Sequence, residues 1–216
     1  MLVSEIFLSI QGESTYAGLP CVFVRLAGCN LSCTWCDTQY ARSAEGAREL
    51  SVDEILAEAK REAGLYRSGL VEITGGEPLL QEEAKELARR LIEAGNTVLV
   101  ETNGSVSLAG LDKRAVKIID FKCPSSGHAW SFLMENLSLI TAEDELKFVI
   151  GNRDDYECAK KFLDEYVEDR TAKVLFAPVK PDLGPALLAE WILKDGLKAR
   201  LQLQLHKYIW SDERGR

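Results

Sequence analysis

Runs of β-branched and aromatic residues alternate along the chain with stretches whose apolar positions recur every three or four residues. The first kind predicts strands over 22–26, 70–74, 97–101, 116–122, 145–150, 173–177 and 200–206. The second predicts helices from Ser51 to about residue 66, over 81–94, over 154–168 and over 185–194. Ser51 with Glu54 three residues on has the form of a capping box, and Gly95 stops the second helix. Alternating strands and helices imply a parallel sheet with right-handed crossovers. At this length the expected fold class is α/β, an incomplete open (β/α) barrel of about six parallel βα units. Ile6, Leu8 and Ile10 alternate ahead of Gln11-Gly12-Glu13, which predicts an additional N-terminal strand beside the first repeat.

Polarity within the strands says more. Strands covered on both faces are nearly uninterrupted in apolar residues, yet several here carry polar residues on one face. Glu72 and Thr74 alternate with Val71 and Ile73, and Asp120 and Lys122 with Ile119 and Phe121. Gln202, Gln204 and His206 alternate with Leu201, Leu203 and Leu205. The expectation is that the apolar set meets outer helices while the polar set faces a wet interior. Five segments sit at C-terminal strand ends, where loops of parallel barrels converge on active sites. They are the cysteine loop, Thr74–Pro78, Glu101–Gly104, Lys122–Gly127 and His206-Lys207.

The chain has 216 residues, 46% hydrophobic and 28% charged, enough for one domain over 1–216. No apolar run approaches the ~20 residues of a membrane helix, and the start lacks the basic and apolar regions of a signal peptide. A net charge of -8 argues against a nucleic-acid surface. These traits suit a cytoplasmic protein acting on a small molecule.

Of six cysteines, Cys29, Cys33 and Cys36 fall within eight residues, while Cys21, Cys123 and Cys158 stand apart. Without an export signal, metal ligation explains the cluster better than disulfides. A zinc site closes with four ligands, and Cys123, His128 and His206 are the candidates for a fourth. Three thiolates in one loop fit an iron–sulfur cluster with one iron open to a ligand.

Cys29-x3-Cys33-x2-Cys36 after a first strand, with Thr74-Gly75-Gly76-Glu77-Pro78 after the next, resembles the radical S-adenosylmethionine superfamily. That resemblance implies a [4Fe–4S] cluster held by Cys29, Cys33 and Cys36, with S-adenosylmethionine chelated at the open iron. Reductive cleavage then yields a 5′-deoxyadenosyl radical. Within the superfamily the whole chain is similar to the 7-carboxy-7-deazaguanine synthase family, through Ser9–Ser14, Val24–Leu31, Cys36-Asp37-Thr38, Glu101–Gly104, Pro124–Gly127 and Gln204-x-His206-Lys207.

This closer likeness implies a lyase of queuosine and 7-deazapurine biosynthesis that contracts the ring of 6-carboxy-5,6,7,8-tetrahydropterin with loss of ammonia. By the same resemblance Trp35, Cys36, Asp37, Gly76, Glu77, Cys123, Pro124, Ser125 and Ala177 would bind the cofactor. Ile10, Gln11, Gly12, Glu13, Arg25, Thr74 and His206 would bind substrate, and Thr38 would bind Mg²⁺. The last residue of some members joins the substrate site, whereas this chain ends Ser211-Asp212-Glu213-Arg214-Gly215-Arg216, which leaves the role of Arg216 open. A reducing partner such as flavodoxin and a homodimer are further implications. Read on residues alone, Arg25 could equally find an internal salt bridge, and Thr38 could cap the loop after the cysteines. Two other readings stay open, a glycyl-radical-activating enzyme and a zinc-stabilised binding module.

Overall fold

The computed structural model describes residues 1–66, 69–167, 172–211 and 213–215. The chain starts with β1 (Leu2–Ile10), which runs antiparallel to β2 (Pro20–Leu26) and places Phe7 opposite Phe23, their rings stacked 5.2 Å apart. After the cysteine loop, β3 (Arg48–Glu49) pairs with the outer edge of β1. The helix α1 (Val52–Ala63) starts at the predicted capping box, with Ser51 and Glu54 bonded reciprocally. It ends before residue 66 because Gly64 turns the chain at φ +54°.

A run of βα units follows, comprising β4 (Leu70–Gly75), α2 (Glu83–Glu93), β5 (Thr97–Thr102), β6 (Val116–Phe121), β7 (Glu145–Ile150), α3 (Arg153–Tyr166), β8 (Lys173–Pro178) and α4 (Pro185–Asp195). The second helix begins two residues later than its periodicity predicts, because Pro78 opens a separate 3-10 turn over Pro78–Leu80. The end expected for the third helix, Glu168, lies outside the described residues. Last come β9 (Arg200–Leu201) and α5 (Leu205–Trp210).

The strand order is β3-β1-β2-β4-β5-β6-β7-β8-β9, parallel from β2 onward and with its edges apart. The expected open barrel and its N-terminal extension are both present. The strand predicted over 200–206 is not. Only Arg200 and Leu201 pair with β8; the chain then turns in, Gln202 N–H bonding the Phe176 carbonyl at 2.8 Å, and coils as α5. Leu201 and Leu203 are exposed instead of meeting helices. Their alternation reflects extended backbone at the sheet edge, where no further strand lies beyond among the described residues.

The parallel register layers the barrel interior. Cys21, Leu70, Leu99, Val116 and Ile118 form a small apolar plug towards the N-terminal ends of the strands. Above it the same inward faces carry Arg25, Glu72, Thr74, Glu101, Asp120, Lys122 and Lys147, all lining one cavity. The outward faces, with Val71, Ile73, Val98, Val100, Ile119 and Phe121, join the main core beneath the helices. Burying that apolar area supplies the dominant stabilisation, so polar residues are tolerated inside only where partners satisfy them.

Candidate active site

The cavity holds about 370 Å³ and opens at the C-terminal ends of the strands. All the predicted substrate-binding residues line it, Ile10, Gln11, Gly12, Glu13, Arg25, Thr74 and His206. So do Cys29, Cys33, Trp35, Cys36, Asp37, Thr38, Gly76 and Ala177. Glu77, Cys123, Pro124 and Ser125 do not. Glu77 is buried behind the wall, accepting from Asn103 N–H at 2.7 Å and Thr102 Oγ1 at 2.8 Å. Cys123 sits in the apolar core, where burial pushes its thiol pKa far up. Pro124 is exposed, and Ser125 is anchored to Asp155 through both its N–H and its hydroxyl. Arg216 lies outside the described residues.

The cysteine loop has no regular structure and is pinned by backbone bonds. Gly28 N–H reaches the Ala41 carbonyl at 2.8 Å, and Thr34 N–H the Ser126 carbonyl at 3.2 Å. Gly76 must be glycine here, since a Cβ would lie 2.2 Å from the Gly28 carbonyl oxygen and 2.8 Å from Cys29 Cβ. The thiols of Cys29, Cys33 and Cys36 are free and partly exposed to the cavity. His128 instead bonds Ser32, its Nε2 accepting the backbone N–H at 3.0 Å. Among the described residues no group of three or more His, Cys, Asp and Glu side chains is placed around a single metal ion. Three accessible thiols of soft-ligand character, beside a glycine cradle, fit the thiolate ligation of an iron–sulfur cluster. Thr38 leaves the following 3-10 turn uncapped, and its hydroxyl lies 3.8 Å from Cys36 Sγ.

The cavity floor is a charge network assembled from distant segments. Lys147 Nζ donates to Glu13 Oε2 at 2.8 Å and Glu101 Oε1 at 2.6 Å, with Asp120 Oδ2 at 3.7 Å. Burial opposes the charge on Lys147, but Glu101, Glu13 and Asp120 outweigh it and hold the ammonium well above its usual range. Burial likewise opposes the Glu101 carboxylate, and Lys147 with the Thr74 hydroxyl (3.0 Å) outweighs it and lowers its pKa. Glu72 goes the other way: burial first, then the charges of Glu101 and Glu13, push its carboxyl well above the usual range. Glu72 accepts from Gln11 Nε2, while Gln11 Oε1 accepts Glu13 N–H at 2.8 Å. The Gln11 amide is thereby spent on protein partners and fixes the loop. Asp120 bonds Lys122 at 2.9 Å, and its Oδ1 is buried with no partner.

Of the two partners foreseen for Arg25, the structure has the internal one, with Nε on Glu5 at 2.8 Å. Glu5 also accepts from Tyr40 at 2.7 Å and Arg214 at 3.2 Å, and the Arg214 guanidinium stacks 3.8 Å from the Tyr40 ring centre. The C-terminal segment thus closes one side of the mouth. It is also seated on the loop after β1, because Gly12 has no Cβ to meet the His206 ring and its carbonyl accepts Leu205 N–H at 2.8 Å. Gln204 Nε2 reaches Glu13 at 2.9 Å and Asp37 at 3.3 Å, and Lys207 reaches Asp37 at 3.3 Å.

Lys147 and Tyr40 belong to none of the motifs. Lys147 was nevertheless readable: Glu145 and Lys147 alternate with Leu146 and Phe148, as Asp120 and Lys122 do in the preceding strand, and Lys147 pairs in register with Asp120. Tyr40 left no such signal, lying in the short 3-10 turn Gln39–Ala41 after the cysteine loop.

Residues 24–182 match the Radical SAM superfamily profile. A 7-carboxy-7-deazaguanine synthase of Koribacter versatilis is 47% identical, over 99% of this chain and 98% of that protein. Another, of Chlorobaculum tepidum, is 43% identical over 99% and 96%. Among solved structures, QueE from Escherichia coli superposes with a TM-score of 0.79 over 95% of this chain and 94% of that one. At 23% identity this last likeness speaks for the fold.

Proposed function

The chain belongs to the radical SAM superfamily and, within it, to the 7-carboxy-7-deazaguanine synthase family, and from that membership we propose how its residues share out the reaction. The enzyme is a lyase that converts 6-carboxy-5,6,7,8-tetrahydropterin to 7-carboxy-7-deazaguanine and ammonia, using a [4Fe–4S] cluster, S-adenosylmethionine and Mg²⁺. The observation that carries this reading is one cavity lined on one side by three free thiols and on the other by a fixed polar floor.

Cys29, Cys33 and Cys36 would hold the cluster, with Trp35, Asp37, Gly76 and Ala177 around S-adenosylmethionine and Thr38 offering a hard oxygen to Mg²⁺. When bound, the cluster and S-adenosylmethionine would supply reversible hydrogen-atom abstraction from the substrate. Product and ammonia together contain every atom of the substrate, so the overall change is an elimination with no net oxidation. What remains for the chain is binding, orientation and exclusion of water.

Glu13 and Glu101 present side-chain oxygen acceptors to the N–H edge of the pterin, a pairing that rejects analogues lacking those donors. Thr74 and His206 complete the substrate contacts, and Arg25, held by Glu5, supplies positive charge near the substrate carboxylate. Gln11 and Gly12 act through the loop backbone. Glu77, Cys123, Pro124 and Ser125 serve the cofactor through the walls they support, since they do not line the cavity. We place the protein in the cytoplasm as a single domain acting as a homodimer, with a flavodoxin-like electron donor. Among the described residues no helix is long and apolar enough to cross a membrane.

The test is anaerobic reconstitution followed by turnover with the carboxytetrahydropterin, S-adenosylmethionine, Mg²⁺ and a reductant. Formation of the deazaguanine acid and ammonia, without stoichiometric loss of S-adenosylmethionine, is expected. Zinc bound in place of iron and sulfide, or 5′-deoxyadenosine formed only with a polypeptide substrate, overturns the reading.

A further inference from the structure

Four segments meet at Lys147: the loop after β1 brings Glu13, β5 brings Glu101, β6 brings Asp120, and β7 brings the lysine itself. An ammonium has three donors. Two are committed to Glu13 and Glu101, and Asp120 Oδ2 lies 3.7 Å away, beyond hydrogen-bond reach. Both of these bonds go to carboxylates that face the cavity. The remaining bonded donors to those carboxylates are uncharged, Gln202 and Gln204 on Glu13 and the Thr74 hydroxyl on Glu101. Lys147 is thus the cation that bonds both.

We propose, on the functional reading above, that Lys147 is a positioning residue for the pterin, its ammonium setting Glu13 and Glu101 as a fixed pair of acceptors on the cavity floor. Two carboxylates bonded to one nitrogen repel each other once it is gone, and each would swing towards its neutral donors or take up a proton. Either change removes an acceptor that the pterin edge requires. The cofactor wall, formed by the cysteine loop and the turn at Gly76, makes no hydrogen bond to this lysine among the described residues. A defect at Lys147 therefore falls chiefly on the pterin, because its link to Asp37 on the cofactor side runs through Glu13 and Gln204.

The experiment uses reconstituted enzyme and anaerobic calorimetry, with wild type, K147M and K147R. K147M is expected to bind the carboxytetrahydropterin about ten- to a hundred-fold more weakly, while S-adenosylmethionine affinity stays within about two-fold. Its KM for the pterin rises in the same measure and kcat falls less. K147R, which keeps the charge and displaces its donors, recovers part of the loss. Pterin binding by K147M within about two-fold of wild type overturns the proposal, as does an equal loss of affinity for both ligands. If K147M does not fold, K147R carries the test: selective weakening towards the pterin supports the role, and wild-type binding overturns it. A wild-type enzyme that neither binds nor converts the pterin overturns the functional reading instead, which keeps the two failures apart.

Discussion

Two lysines of adjacent strands are buried almost equally, Lys117 with 6% and Lys147 with 8% of the side chain exposed. Lys117, near the start of β6, has one acidic partner among the described residues, Asp144, at 2.8 Å. Asp144 in turn accepts the Lys117 N–H at 2.8 Å and caps Thr141 through its N–H and hydroxyl. That group is closed, one cation on one anion, and it ties the loop before β7 to the sheet. Lys147 is shared among three carboxylates from three segments, at the wall of a cavity, beside an acceptor left without a partner. Burial alone therefore does not mark function. An ion group whose bonds all close locally holds the fold, whereas one that leaves capacity facing a cavity is built for a ligand.

This contrast can be broken at three points. Removing the Lys117 charge should do the most to stability, because K117M leaves Asp144 buried without its cation, a loss of about 3–5 kcal/mol. Chemical denaturation measures it, and activity per folded molecule should be unchanged; a loss of pterin affinity instead would erase the division. E101Q should reverse the pattern. It exchanges a charged acceptor, worth about 1.5–3 kcal/mol, for a neutral one worth about 0.5–1.5 kcal/mol, a difference seen as about five- to ten-fold weaker pterin binding in calorimetry. Its stability cost should be below that of K117M, since Lys147 keeps Glu13 and Asp120.

The smallest effect belongs to Glu72 and has a defined pH dependence. Its folded pKa lies above the unfolded 4.5, so as pH rises past that value the unfolded chain loses a proton that the folded chain keeps. Glu72 thus lowers stability progressively with rising pH until its folded value is passed. E72Q, neutral in both states and still able to accept from Gln11, should match wild type in acid and be the more stable above pH 4.5. Denaturation midpoints across pH decide this, and a variant less stable at neutral pH would mean that Glu72 is ionised in the fold.

Much of this was readable in the order of the residues. The βα alternation, the capping box at Ser51, the cysteine triplet and the polar faces of Glu72, Thr74, Asp120 and Lys122 all rest on short-range periodicity or spacing. Such features are properties of local backbone geometry, so a linear pattern carries them. The last predicted strand failed for the same reason: alternation reports extended backbone, and only the sheet says whether a partner is there.

Which charges meet was a matter for the tertiary structure. The sequence by itself determined that a parallel half-barrel would carry three thiols and a polar interior at one end. It could not pair Glu13 with Lys147, 134 positions apart, or give Arg25 to Glu5 and leave Asp120 with a free oxygen. Those outcomes depend on strand register and on the return of the C-terminal segment over the mouth. Electrostatic energy depends on distance through space and on burial, and neither is written in the separation along the chain.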